Sequence, residues 1–481
     1  MNIKIIIRVS GFLIFVEGVA MLLALLISLI YQENDTTGFI ISSGINLLSG
    51  AALILLTQNA NKDIGKREGF IIVTIAWIIF SLLGSLPYIF TGAITSYTDA
   101  FFETMSGFTT TGSSILNNIE DLPHGILFWR GLTHWLGGMG IIVLSLAILP
   151  VFGIGGMQLY IAEVPGPTPD KISPRIRQTA ASMWIIYLIL TVAQTILLWV
   201  GKMPLFDSVC HAFATMATGG FSTKQASIAF WPSPYIQYVI IIFMFLAGTN
   251  FSLTYFAIMG KFRPILKDEE FKYYSFITLG FTALIFIGLL ITTQTGVEET
   301  FRNSLFWVVS IITTTGFGTV DYLLWSPVLI ALIFSVFFLG GSAGSTGGGI
   351  KIMRIVLLFK NGYYELKRMV HPNAVIPLKF NKHTVDTKIV TNVLAFFVLY
   401  FMIFGISTVI FMLFEPDFET SMGAVATSLG NIGPGLGTVG PAATFAHIHP
   451  VGKWFLSFLM LLGRLELFTI LVLFSPTFWK Q

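Results

Sequence analysis

Charge is what this chain has least of: 11% of its 481 residues are Asp, Glu, Lys or Arg, against about a quarter in an ordinary soluble domain. Water cannot solvate such a chain over its whole surface, which excludes a soluble globular protein. Cysteine is nearly absent as well. The single Cys210 rules out an intramolecular disulfide framework, and no CxxC or paired Cys/His spacing points to a metal or to redox chemistry. The histidines (His124, His134, His211, His371, His383, His447 and His449) form no zinc-type pattern beyond a weak HIH at 447–449, so no metal is assigned. Nucleophile elbow, glycine-rich nucleotide fingerprint and paired carboxylates in a plausible setting are missing too, and the chain is read as no enzyme.

What the chain has in excess is apolar length. Hydrophobic residues make up 54% of it, in runs of about 20 residues, the length an α-helix needs to cross a hydrocarbon core about 30 Å thick. Ten crossings are predicted, near 9–31, 38–57, 69–92, 126–150, 179–201, 235–259, 273–296, 327–359, 389–414 and 451–475. The N-terminus has the basic start and apolar core of a signal peptide, but that core runs past the usual ~7–15 residues and no convincing small-residue cleavage site follows. It is read as a retained first span.

Sidedness follows from the basic residues. With both termini inside, segments 1–8, 58–68, 151–178, 260–272, 351–388 and 480 hold 21 of the 27 Lys and Arg, as the positive-inside rule requires. Arg130, Lys202, Lys224, Arg302 and Lys453 fall outside, and Arg464 lies within the last span. Thirteen of the 24 acids, among them Asp99, Glu103, Asp207, Glu298, Glu299, Asp321, Asp417 and Glu419, fall on the outer side. A cation is therefore expected to meet a negative mouth.

Four semi-apolar segments of about a dozen residues, too short to cross, separate pairs of spans and read as re-entrant. Aligned without gaps on one glycine, they are DAFFETMSGFTTTG (99–112), FDSVCHAFATMATG (206–219), NSLFWVVSIITTTG (303–316) and TSMGAVATSLGNIG (420–433). The glycines Gly112, Gly219, Gly316 and Gly433 stand 107, 97 and 117 residues apart, a fourfold repeat of helix, half-helix with loop, and helix. Irregular backbone at membrane depth survives only inside protein or around water. Four such loops about one axis would aim carbonyls inward and replace the hydration shell of a monovalent cation, with the negative C-terminal ends of the short helices adding to the attraction. Glycines and threonines that merely pack helices are the competing reading, which four regular copies disfavour. The predicted fold is an all-α polytopic membrane protein: two N-terminal helices over 1–68, then pseudo-repeats at 69–178, 179–272, 273–388 and 389–481 around a central pore.

Two further features stand out. The run from Pro327 to Phe359 has 33 residues, about 50 Å as a continuous helix, and GGSAGSTGGGIK at 340–351 should break it, since glycine penalises helix. A flexible loop on the pore axis under the third filter loop, a candidate gate, is expected. GxxxxGK[ST] is not matched and no strand precedes, so a phosphate-binding loop is rejected. Arg464, in LLGRLELF, lies near the middle of a span, where arginine costs at least about 2.5–3.5 kcal/mol, and it should face the pore or the loop. Glu17, alone in the first span, is read as structural.

The segments SGFTTTGSS, FWRGLTHWLGGMGIIVLSLAILP, ATMATGGFST, TTTGFGT, GGSAGSTGGGIKIMR, HPNAVIPLKFN and LLGRLELFTILVLF resemble the TrkH subunits of bacterial Trk potassium-uptake systems, in the superfamily that also contains KtrB and plant HKT transporters. The likeness spans essentially the whole chain and includes the two extra N-terminal helices. It implies a K+-translocating subunit of the bacterial cytoplasmic membrane, a homodimer assembled with cytosolic TrkA-like nucleotide-binding regulatory subunits. K+ is the implied transported ion, with Rb+ and Na+ as further candidates; neither a covalent cofactor nor a nucleic-acid partner is implied. Carried over by position, the filter comprises Thr110, Thr111, Gly112 and Ser113; Ala217, Thr218, Gly219 and Gly220; Thr314, Thr315, Gly316 and Phe317; and Asn431, Ile432, Gly433 and Pro434. The implied gate is Gly340, Gly341, Gly344, Ser345, Thr346, Gly347, Gly348 and Gly349, opposed by Arg464. In that family glycine at the first key position favours potassium and serine suggests sodium. Transport by a gated passive pathway is the leading reading and a secondary symporter coupled to H+ or Na+ the alternative, with Glu17 and Glu466 the only carboxylates within the spans.

Overall fold

Backbone amides that meet lipid must close their hydrogen bonds within their own segment, and this chain does so with helices almost throughout. The computed structural model describes residues 1–60, 64–140, 176–374 and 376–480, with backbone alone at 176–180. The second half of the 126–150 span, most of the predicted inner loop 151–178 with Lys171 and Arg175, and Lys62 lie outside the described residues. Helices α1 (Ile3–Tyr31) and α2 (Thr36–Leu56) form an antiparallel pair. A Cβ on Gly11 would come within 2.7 Å of Leu53, and one on Gly50 within 2.7 Å of the Phe15 amide nitrogen. Here glycine does act as a packing residue, letting two backbones approach.

The order long helix, half-helix, second helix then occurs four times. The first set is α3 (Lys66–Gly84) continued by α4 (Leu86–Phe90), half-helix α5 (Tyr97–Phe108) and α6 (His124–Gly138). The second is α7 (Ile176–Val200), half-helix α8 (Leu205–Met216), α9 (Pro234–Ala247) and α10 (Phe251–Ile258), with α11 (Arg263–Lys267) leading on. The third is α12 (Glu269–Thr292), half-helix α13 (Val297–Ile312), α14 (Pro327–Val336) and α15 (Ile352–Val370). A two-stranded hairpin, β1 (Lys379–Phe380) and β2 (His383–Thr384), precedes the fourth: α16 (Thr387–Phe411), half-helix α17 (Phe418–Gly430), α18 (Pro450–Arg464) and α19 (Phe468–Leu471), closed by α20 (Pro476–Trp479). Large apolar side chains such as Leu48, Phe276, Ile291 and Val409 stand exposed on the long helices. Lipid is the solvent such faces require.

Six single helices are long and apolar enough to cross a membrane, and two bent pairs bring the number to eight among the described residues. The expected break between α14 and α15 is present. The spans predicted as continuous at 235–259 and 451–475 are broken as well: α9 and α10 meet at 114°, and α18 turns by 108° into the segment from Phe468 to Phe474. Neither break carries a glycine run, which is why the sequence conceals them. At the first, the Asn250 side chain caps the Ser252 amide at 2.8 Å, and the Phe251 amide donates to the Gly344 carbonyl at 3.1 Å. At the second, Glu466 and Leu467 turn through positive φ, 54° and 50°.

One buried ion pair ties the first two sets together. Arg130 on α6 donates through Nε to Glu103 on α5 at 2.9 Å, and through Nη1 to the Ser222 carbonyl, also at 2.9 Å, while stacking on Phe221. Glu103 also accepts from the Ile115 amide. With both partners inside the protein, removing one strands the other, at a cost of about 3–5 kcal/mol. Arg130→Met is therefore expected to lower the thermal midpoint in detergent, and Arg130→Met with Glu103→Leu to recover part of the loss; equal losses would show that the stranded carboxylate is not the cause.

Candidate functional site

Each half-helix ends in the same way. The residue entering the loop takes the left-handed conformation: Thr110 (φ 54°), Thr218 (54°), Thr314 (57°) and Asn431 (54°). The next amide reaches five residues back, Thr111 to the Ser106 carbonyl (2.9 Å), Gly219 to Ala214 (2.8 Å), Thr315 to Ser310 (2.8 Å) and Ile432 to Thr427 (3.0 Å). This is the helix-ending motif that glycine or asparagine normally supplies. Threonine there is strained by about 1–3 kcal/mol. Two of the three threonines use the hydroxyl across the site: Thr110 Oγ1 accepts from Arg464, and Thr314 Oγ1 accepts from the Gly348 amide at 2.7 Å.

Two residues further on, a second positive φ falls on Gly112 (83°), Gly220 (81°), Gly316 (77°) and Gly433 (106°). The gapless alignment on Gly219 is thus one residue early in the second set, where the equivalent glycine is Gly220. The corresponding loop is Thr218 to Phe221 rather than Ala217 to Gly220. The alignment failed because the second loop contains two adjacent glycines and only conformation separates them.

In this register the four loops close a ring. A Cβ on Gly112 would lie 2.2 Å from the Gly219 carbonyl oxygen, one on Gly220 2.0 Å from that of Thr315, one on Gly316 1.9 Å from that of Ile432, and one on Gly433 3.0 Å from that of Thr111. Each loop abuts the next in chain order and the fourth abuts the first. The residues that present these carbonyls, Thr111, Gly219, Thr315 and Ile432, are the same ones whose amides are bound to the half-helices behind them. All four glycines line one cavity, together with Ser113, Phe221 and Pro434. Carbonyl dipoles grouped in a ring at four helix C-termini suit a dehydrated monovalent cation.

The expected negative mouth is not what that cavity displays. Its lining includes Arg130 and Lys224 and no carboxylate. The outer acids are engaged elsewhere, because the half-helices begin on that side and their N-terminal turns attract negative charge. Asp99, Asp207, Glu298, Glu299 and Glu419 sit in those first turns. Asp99 is paired with Lys453, and Glu298 with Arg302. Asp417 caps α17, and its hydrogen bonds with Thr420 hold its carboxyl below the usual value.

Below the ring lies the glycine segment. Its neck is closed by the Gly340 amide on the Ile350 carbonyl at 2.8 Å, and Gly341 and Gly344 pack against Gly248 and Asn250 at the α9–α10 break. Ser345 Oγ turns back onto the Ser342 carbonyl, and Thr346 Oγ1 donates to the Met216 carbonyl at the end of α8. Gly347 and Gly348 press on the Thr313 and Gly430 carbonyls, so closely that a Cβ would come within 2.9 and 2.7 Å of them, while Gly349 takes a left-handed φ of 65°. Arg464, the last residue of α18, donates to the Thr346 carbonyl at 2.7 Å, to the Gly137 and Gly138 carbonyls at 2.6 and 2.9 Å, and to Thr110 Oγ1 at 3.2 Å. Segment and arginine together thus touch the inner end of every loop. The guanidinium sits at a helix C-terminus among carbonyls, which offsets its cost at this depth.

Two ionisable side chains, Glu270 and Lys351, hold the segment, and a further pair joins α15 to the turn after α18. Glu270, buried in the first turn of α12, accepts from the Ala343 amide at 2.7 Å and the Met353 amide at 3.1 Å, gripping both sides of the segment. Lys351 Nζ donates to the Gly347 carbonyl. Glu466 pairs with Arg354, which also lies over Phe396. An acid in a first turn is ordinary, so only proximity distinguishes Glu270. Glu17 is buried in α1, where its carboxyl faces Gly84 rather than the ring.

Long apolar helices, re-entrant half-helices and a ring of four abutting loops define a helical membrane transport protein. Comparison with known proteins narrows the class. Residues 36–481 match the family model TrkH, described as a cation transport protein. The chain is 42% identical to the Trk system potassium uptake protein TrkH of Salmonella typhimurium and 39% identical to that of Halomonas elongata, with the full length of each chain covered. It is 33% identical to the Trk system potassium uptake protein TrkG of Escherichia coli, covering all of this chain and 99% of that one. The crystal structure of the potassium transporter TrkH from Vibrio parahaemolyticus superposes over the whole of both chains with a TM-score of 0.90 at 38% identity. The chain belongs to the TrkH family of cation transport proteins, a family of transporters and not of enzymes.

Because Arg464 bridges the ring and the glycine segment, Arg464→Ala is expected to raise basal cation flux in proteoliposomes, as is deletion of Ser345–Gly349. Unaltered flux in both would remove the segment from control of the pathway.

Proposed function

We propose that this chain is the K+-translocating subunit of a Trk uptake system of the bacterial cytoplasmic membrane, a gated, channel-like protein with both termini cytoplasmic. The observation that carries the reading is the closed ring of Thr111, Gly219, Thr315 and Ile432 carbonyls. In this reading the filter is Thr110–Ser113, Thr218–Phe221, Thr314–Phe317 and Asn431–Pro434. Gly340–Gly349 is the gate and Arg464 its latch. The residues divide as 1–68, 69–178, 179–272, 273–388 and 389–481. The relatives named above are potassium uptake proteins, which favours K+ as cargo, with Rb+ as a congener and Na+ as the competitor. A homodimer and a cytosolic nucleotide-binding regulatory subunit of the TrkA type complete the assembly.

Passive flux is favoured over symport with H+ or Na+ because the one carboxyl within a span that lacks a hydrogen-bond partner among the described residues and is fully buried, that of Glu17, sits behind the first half-helix and away from the ring. Rubidium uptake into proteoliposomes driven by its own gradient, at equal pH and without Na+, is expected to proceed; a stall relieved by a proton or sodium gradient would establish the symporter instead. Gly112→Ser places a side chain against the Gly219 carbonyl and is expected to raise Na+ permeation relative to K+ in bi-ionic measurements. An unchanged ratio would count against the filter assignment.

A further inference from the structure

The second loop lacks the internal brace of the first and third. In those, the hydroxyls of Thr109 and Thr111, and of Thr313 and Thr315, are 2.8 Å apart, fastening the loop to the end of its half-helix. The equivalent positions in the second loop are Ala217 and Gly219, which have no hydroxyls. Gly219 is not a glycine for conformational reasons, since its φ lies outside the left-handed region. It is a glycine for lack of room: a Cβ there would lie 2.5 Å from Cγ and 2.6 Å from Nδ1 and Cδ2 of His134. His134, fully buried on α6, donates from Nδ1 to the Gly107 carbonyl in the last turn of α5 at 2.7 Å, and its ring lies 4.0 Å from that of Phe221.

Resting on the filter reading, we propose that His134 is a specificity-determining positioning residue that replaces the missing threonine pair from outside the second loop. Its imidazole, pinned to the first half-helix, fills the space of the absent side chain and holds the Gly219 carbonyl in the ring. One side chain thereby braces the second loop against the first, and the spelling ATGG in place of TTTG is its counterpart.

The test is a swap read as the K+-to-Na+ permeability ratio in liposomes. His134→Ala is expected to lower the ratio roughly tenfold, about 1.4 kcal/mol. Adding Ala217→Thr and Gly219→Thr to His134→Ala rebuilds the brace of the first and third loops and is expected to recover most of the ratio, whereas the same two threonines beside intact His134 collide with it and lower the ratio. A wild-type ratio in His134→Ala, or a triple variant no better than His134→Ala, would overturn the proposal. Should His134→Ala fail to assemble, His134→Gln, which keeps an N–H for Gly107 but no flat ring against Gly219, carries the same test: a reduced ratio supports the brace and an unchanged one overturns it. Gly112→Ser measured alongside separates the two ideas. If it moves the ratio and His134→Ala does not, only the brace fails; if it does not move the ratio, the filter reading itself fails.

Discussion

The structure depends on how a helix can stop in the middle of a membrane. A terminus there leaves backbone groups that lipid cannot satisfy, each at a cost of several kcal/mol. Four half-helices solve the problem identically, with a left-handed residue and an amide that reaches back five positions. In a trans peptide the preceding carbonyl points opposite to each such amide, so the bond that terminates the helix also turns the carbonyls of Thr110, Thr218, Thr314 and Asn431 away from it. Two of the three strained threonines spend their hydroxyls on contacts that glycine could not make, Thr110 with Arg464 and Thr314 with Gly348.

The same requirement organises the region beneath the ring. Second helices break at Gly248–Asn250, between Val336 and Ile352, and at Leu465–Leu467, and each break frees groups that another break satisfies: Gly344 accepts from Phe251, and Arg464 donates to Thr346. The glycine segment is held by backbone carbonyls, Glu270, Lys351 and Arg464 rather than by buried apolar side chains.

Much of the fold was legible from residue chemistry. Charge scarcity and apolar length define the spans, and the Lys and Arg bias predicts their sidedness. The broken third helix was legible because its six glycines between Gly340 and Gly349 cannot propagate helix. The breaks after α9 and α18 were not, since Gly248-Thr249-Asn250 and Leu465-Glu466-Leu467 are unremarkable as local sequence and bend because packed neighbours supply partners. The acids at the mouth were visible, but their use was not: whether a carboxylate attracts ions or caps a helix depends on which atoms lie within about 3 Å.

Sequence alone determined that four glycine loops recur between the spans, because composition and periodicity are local properties of a chain and lipid tolerates few alternatives. Tertiary structure alone decided the register of the second loop, the use of Arg464, Glu270 and His134, and the closing of the four loops on one another. Those depend on distances between residues up to 354 positions apart, as in the contact of Thr110 with Arg464. Gly219 and Gly220 are the same letter, and only the space around them, an imidazole beside one and a left-handed backbone at the other, gives them different tasks.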